Sequence, residues 1–303
     1  MISAEPSREY KRDLRQLRTW VGAGIAAFGA LLLAIIAYAA WSSNDSAAER
    51  EHLLVSNAIN RAITRTLNDL KSVAWWDDSV TNITDRHINT SFVDVNMGQF
   101  LTDTYAHDEV YVLNAQGHPV YAFFDNQRQL PSSFASRAAD IAPVLTELDT
   151  GHSRLTQRPG VFTQGEYRML AGGGRAARWS GHIISIGGRP AIVGAMTIVP
   201  NVDMSLTPAH PHVLLSVTYI DADFLAGVGQ QLLLPDLARA PAGARGTRQV
   251  SQAFVTDDGV HLGELAWTTK HPGQVLLLVI LPLAAVGIFL AGAFSLYMLR
   301  RLR

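Results

Sequence analysis

Residues 19–41 read TWVGAGIAAFGALLLAIIAYAAW, without one charged side chain. As a helix this segment is long enough to cross roughly 30 Å of hydrocarbon. The helical pattern does not stop there. Leu54, Ala58, Ile59, Ile63, Leu67, Leu70 and Val73 recur at threes and fours through residues 47–73, the spacing of one helix face. Between residues 19 and 73 there is no proline, and glycine occurs only at Gly22, Gly24 and Gly29. One unbroken helix is therefore expected, running from the membrane segment to the tetrad Trp75-Trp76-Asp77-Asp78. At 1.5 Å per residue the tetrad stands about 50 Å beyond the bilayer. That is too far for an interfacial anchor, so the tetrad belongs to a folded part.

A second uncharged run, VLLLVILPLAAVGIFLAGAFSLYML at 275–299, is also of spanning length, and membrane helices tolerate a proline such as Pro282. Trp41 and Trp267 fall near the outer ends of the two spans, and Trp20 and Tyr297 near the inner ends, as an aromatic belt would place them. Arg8, Lys11, Arg12, Arg15 and Arg18 precede the first span, and Arg300, Arg301 and Arg303 follow the second. Positive-inside bias then puts residues 1–18 and the stub 300–303 in the cytoplasm and residues 42–274 outside it. The bacterial inner membrane, with a periplasmic domain, is the expected location. Ala37-Tyr38-Ala39 has the form of a signal-peptide cleavage site, but the apolar segment exceeds the usual 7–15 residues and has a long polar lead. Burial of both runs in a soluble core is opposed by their length and lack of charge.

The 303 residues carry 25 Lys and Arg against 26 Asp and Glu. Removing the eight basic and three acidic residues of the two termini leaves 17 against 23 between the spans, a net charge of −6. Nucleic acid, which requires a basic footprint, is excluded as a partner. The absence of cysteine excludes disulfides, thiolate metal sites and a cysteine nucleophile.

Between the spans the pattern predicts an α+β domain, a long N-terminal helix followed by an antiparallel sheet with a few helices against it. Residues 79–108 read as short helix and loop, with Phe92, Val93, Val95, Phe100 and Leu101 in the core. Residues 109–113 and 118–124 form a hairpin across Asn114-Ala-Gln-Gly117. Residues 132–150 are helical, closed by Gly151. Strands are expected at 160–164, 167–170, 177–186, 191–199 and 213–220, with Gly187-Gly188-Arg189-Pro190 as a turn. Asp221-Ala-Asp223 caps a helix at 224–234. Residues 238–248 read as a surface loop, and 252–256 with 261–268 as a final hairpin. No repeat is present.

Three stretches carry a family resemblance. Ala74-x-Trp76-Asp77-Asp78 closes the helix that leaves the membrane, Val110-Tyr-Val-Leu-Asn-Ala-Gln-Gly117-His-Pro-Val120 forms the first hairpin, and Gly263-x-x-Ala-Trp267-x-x-Lys-x-Pro272-Gly273 precedes the second span. Together, over about residues 43–273, they resemble the CHASE4 sensory domain of the Cache/PAS-like group of bacterial extracytoplasmic sensors. Ser79-Val80 departs from the Thr-Tyr that the family more often carries there. The resemblance implies a PAS/Cache-like domain between two transmembrane helices, acting as the input module of a signalling protein. Such modules precede a GGDEF or EAL cyclic-di-GMP enzyme, both, or a histidine kinase. None of these lies within the 303 residues, so an N-terminal fragment of a longer receptor is expected, with a short protein acting through a partner as the alternative. No catalytic role and no cofactor is assigned to the chain itself.

The expected ligand-binding residues are Trp75, Trp76, Asp77, Asp78, Tyr167, Arg168, Arg178 and His182. On a helix, adjacent residues diverge by about 100°. One tryptophan is thus expected on the sheet and the other at a dimer seam or pocket wall, unless both are core. One aspartate ends the helix through backbone hydrogen bonds, and Asp77 is the candidate acceptor for a ligand amine or an arginine. Tyr167, Arg168, Arg178 and His182 fall on predicted central strands and are pocket-lining candidates set against plain surface roles. His210-Pro-His212 makes a poor metal site, and Gly172-Gly173-Gly174 lacks the context of a phosphate loop. The face Leu54/Ile59/Ile63/Leu67/Leu70 fits either a homodimer seam or packing on its own sheet. An envelope hydrolase remains the alternative of another class, but adjacent aspartates on a helix do not converge on one bond as glycosidase carboxylates must. A structural, partner-binding protein is the third reading.

Overall fold

The computed structural model describes residues 8–150, 163–171, 176–241, 243 and 249–301. They divide into two compact units, residues 1–51 with 269–303, and residues 52–268. Helix α1, Arg8–Ala74, belongs to both, and the absence of helix breakers is the reason it is continuous.

The first unit contains the N-terminal part of α1 and helix α7, Pro272–Arg301. Each has a stretch long and apolar enough to cross a membrane. The Gly273 amide donates to Asn44 Oδ1 (2.8 Å) and the Lys270 amide to Glu51 Oε1 (3.2 Å). At Gly273 a Cβ would collide with the backbone of Ala40, so only glycine permits this approach.

The second unit is built on a six-stranded antiparallel sheet. Its strands are β1 (Glu109–Leu113), β2 (Pro119–Phe124), β3 (Gln127–Gln129), β4 (Trp179–Ile186), β5 (Arg189–Thr197) and β6 (Val213–Tyr219), in the order β3-β2-β1-β6-β5-β4. The Gly187-Gly188 turn joins β4 to β5 with both residues at positive φ, the geometry a two-residue hairpin prefers. Alternation along the strands sorts side chains onto two faces. Val110, Val112, Ile183, Ile192, Met196 and Leu214 meet Ile59, Ile63, Leu67 and Leu70 of α1. Tyr111, Leu113, Ile184, Val193, Leu215 and Val217 meet Ile141, Val144 and Leu148 of α4, Ala135–Thr150. Opposite Gly194 of β5, α1 comes so close that a Cβ would lie 2.8 Å from Thr66 Cγ2 and 2.9 Å from Leu70 Cδ1. A second sheet, of order β7-β9-β8, comprises β7 (Ala238–Ala240), β8 (Gln249–Val255) and β9 (His261–Thr268). Its Phe254, Leu265 and Trp267 extend the core on the α1 side.

Mixed helix and antiparallel sheet agrees with the expected class, but several elements differ. Residues 167–170 are not a strand: Gln164–Ala171 is helix α5. Thr163 and Glu166 start it as a capping box, the Thr163 amide donating to Glu166 Oε2 (2.7 Å) and the Glu166 amide to Thr163 Oγ1 (3.2 Å). Residues 160–162 of the other expected strand, and Gly172-Gly173-Gly174, lie outside the described residues. Residues 94–104 form a π-helix, a rare element. It buries Val93's neighbours Met97 and Leu101 but exposes Val95 and Phe100, which are not core. Residues 238–240 pair as β7 rather than looping. On α1, Ile59, Ile63, Leu67 and Leu70 are buried in their own domain. They are therefore no dimer seam, and Leu54 alone of the five is exposed.

Candidate functional site

The tetrad does not continue the helix. Helix α1 stops at Ala74, Trp75 forms a parallel bridge with Val199, and Trp76 is extended before the short helix α2, Asp77–Asn82. Trp75 is buried while Trp76 is half-buried and stacks at 5.5 Å on Phe92. The two rings separate because an extended residue reverses direction, not because of helical rotation. Asp77 Oδ1 accepts from the amides of Asn201 (2.8 Å) and Val202 (3.0 Å), and Oδ2 from that of Asp203 (3.0 Å). The Val202 amide above all holds this carboxylate below its ordinary pKa range. The carboxylate is a clasp between the end of α1 and the loop 201–211, and a ligand amine would have to compete with three amides. Asp78 is exposed, in the first turn of α2.

The loop clasped at one end is a wall at the other. Pro208, Ala209, His210 and Pro211 line a groove of about 370 Å³ with Asn114, Leu145, Leu148, Asp149, Arg178 and Thr197. Leu145 and Leu148 give it apolar surface, and Arg178 brings a guanidinium whose Nη1 donates to the Asp149 carbonyl at the end of α4 (2.9 Å). Two of the expected strand residues thus stand on opposite sides of α4: Arg178 in this groove, and His182 in a second groove of about 540 Å³. Arg168 is exposed on α5, away from any strand, and the Tyr167 side chain lies outside the described residues. His210 lines the first groove, whereas His212 is buried, 3.8 Å from Asp85, and burial lowers its pKa.

His182 lies on β4 facing α4. Its Nε2 is 2.9 Å from Glu147 Oε2 of α4 and its Nδ1 is 3.2 Å from Asp257 Oδ2 in the β8–β9 turn. Burial opposes a charge on the ring, but Asp257 and Glu147 outweigh it and raise the pKa above the ordinary histidine value. Asp257 is also fastened by backbone: its Oδ2 accepts from the Ile183 amide (2.9 Å), and its own amide donates to the Ile183 carbonyl (2.8 Å).

The sequence reading did not find a third cluster on the same face. Buried Glu109 accepts from Tyr111 Oη (2.7 Å), Tyr219 Oη (3.0 Å), Arg137 Nε (3.2 Å) and Arg137 Nη2 (2.9 Å). Burial alone would raise its pKa, but Arg137 and the two hydroxyls more than offset that and lower it. Tyr219 is pushed up to about 12, first by burial and then by Glu109. This network pins α4 to β1 and β6, the only signal in the sequence being a carboxylate at the head of an apolar strand. Every acceptor site of Glu109 is used by the protein itself, so the cluster is structural.

Comparison with curated proteins gave no match. The family model for the CHASE4 domain matches residues 58–238, more than half of the chain, which takes in the clasp, the Arg178 groove and His182 but stops before Gly263–Gly273. CHASE4 is an extracytoplasmic sensory domain of signalling proteins, and the chain belongs to the CHASE4 family.

Proposed function

We propose that the chain is a transmembrane input module that binds a small ligand in the groove beside Arg178 and passes the event to the end of α1 through the loop 201–211. The observation that carries this reading is the double engagement of that loop. Its residues 208–211 wall the groove and its residues 201–203 are held by Asp77, directly after the helix that carries the first apolar segment. A ligand with a carboxylate or other hydrogen-bond acceptor for Arg178 would favour one position of the loop, and only differential affinity for two positions can shift their populations.

The remaining parts of the proposal follow from sequence. Two apolar helices and basic flanks suit a bacterial inner membrane with cytoplasmic termini and a periplasmic domain. The sheet with helices on both faces suits a Cache/PAS-like fold. Homodimerisation would have to use surface other than the buried α1 face. The output is a GGDEF or EAL cyclic-di-GMP enzyme, or a histidine kinase, that continues or partners the chain.

The full chain in detergent, screened by thermal shift against small carboxylates, amines and sugars, tests the reading. A ligand of the folded state must raise the melting temperature. Arg178→Gln is expected to abolish that rise. Asp77→Asn is expected to keep it while loosening the loop, seen as faster amide exchange at residues 201–203. If binding is found and Arg178→Gln leaves it unchanged, the groove is not the site.

A further inference from the structure

We propose that His182 is a proton-binding site, through which acidity on the domain's side of the membrane fastens α4 and the β8–β9 turn to the edge of the six-stranded sheet. The geometry requires this charge state. A neutral imidazole has one N–H and one acceptor nitrogen, and only imidazolium donates from both. His182 presents one ring nitrogen to Glu147 and the other to Asp257. With both carboxylates ionised, both contacts are hydrogen bonds only when the ring holds two protons; otherwise a lone pair faces a carboxylate.

Among the described residues, the charged groups in contact with the ring favour the proton. From α4 it faces Glu147, and from the β8–β9 turn Asp257 and, across the groove, Asp258. Just before its own strand, Arg178 lies four residues earlier and is directed to the Asp149 carbonyl. On β5 its partner in register is Val193, which carries no charge. No lysine or arginine is among the described residues lining this groove. The side chains of His182, Glu147 and Asp257 are only 14%, 9% and 10% exposed, so salt screens the pair weakly.

Loss of the proton has a directed consequence. Asp257 keeps its two backbone bonds to Ile183, so the contact that weakens most is the one between His182 and Glu147 of α4. Glu147 sits one turn beyond Pro143, which lies inside the continuous helix α4 and removes one intrahelical hydrogen bond. The last turns of α4, residues 144–150, are thus the part tied to His182, and their Leu145, Leu148 and Asp149 also wall the Arg178 groove. The sign follows from the raised pKa. The stabilisation is complete below the unfolded histidine value of about 6.5 and is lost as pH rises through the folded value.

The test uses the full chain in detergent and no ligand, so its outcome is independent of whether the groove binds one. The His182 ring, followed by NMR through histidine Cε1, is expected to titrate above the ordinary histidine range. Amide exchange corrected for intrinsic rates is expected to show residues 144–150 several-fold better protected at pH 5.5 than at pH 8. His182→Gln should remove that difference. Glu147→Gln, which preserves shape, should do the same and serves if His182→Gln does not fold. A ring that is neutral at pH 6, or a pH-dependent protection that survives both substitutions, overturns the proposal.

Discussion

On one face of the six-stranded sheet, Thr66, Leu67 and Leu70 of α1 press on β5 at Gly194, where the backbone is bare enough to admit them. On the other face, α4 shares its ground with Glu109, Arg137 and His182, and both grooves open beside it. The α1 face is held mainly by non-directional apolar contact, with a buried polar pair beside it, Asp69 of α1 and His107 (3.3 Å). The α4 face is held in part by charges whose state depends on pH and whose partners sit on separate elements. The same sheet thus has a face suited to carrying a displacement and a face suited to being altered. On the strands of the α1 face, Ser216 Oγ and Thr218 Oγ1 are buried without a hydrogen-bond partner among the described residues.

The contrast can be broken most forcefully at Leu67, which is fully buried. Leu67→Ala should cost about 2–5 kcal/mol, measured by chemical denaturation of the full chain in detergent, with the same loss at pH 5.5 and pH 8. A loss that changes with pH would show that the α1 face is not the insensitive one. A smaller effect is expected at Arg137, where truncation leaves Glu109 buried with only its two tyrosine donors. Arg137→Ala should cost roughly 1–3 kcal/mol. The acid limb sharpens this prediction. Because the Glu109 pKa is lowered on folding, its stabilisation is complete above the unfolded value of about 4.3 and is lost as pH falls through the folded value. Asp108, raised by burial, acts in the opposite sense and offsets part of the loss. Glu109→Gln should therefore flatten the fall in melting temperature between pH 5 and pH 3. The smallest effect is expected at Ser216. Ser216→Ala removes a buried hydroxyl that pairs with nothing described, and stability should rise by up to about 1 kcal/mol. A clear loss would mean that this hydroxyl has a partner and that the α1 face is more polar than it looks.

The apolar periodicity of α1 was readable because the stretch after Gly29, without proline or glycine and with one apolar stripe, has few alternatives. The hairpins of the first sheet were readable for a similar reason, as Asn114–Gly117 and Gly187-Gly188 dictate turns between alternating strands. Helix α5 was missed although Thr163-x-x-Glu166 announces its start, because Tyr167-Arg-Met-Leu170 is too short for period alone to decide. At the site, Arg178 and His182 were selected as inward-facing residues of a strand, and both do border grooves. Their partners Asp149, Glu147 and Asp257 lie 29, 35 and 75 residues away, and no local pattern joins them. Asp77 was legible as a residue of interest, but its three amide donors come from a loop more than 120 residues later.

By itself the sequence determined two apolar helices and a mixed antiparallel domain between them, which rest on composition, period and turn chemistry, and it carried the motifs by which the chain resembles a sensory family; all of these are local. Only the tertiary structure decided that the α1 stripe faces its own sheet, that Asp77 grips a loop, and that His182 stands between two carboxylates. The physical reason is that charge pairing and hydrogen bonding act over about 3 Å in space, and the fold alone determines which distant residues come that close.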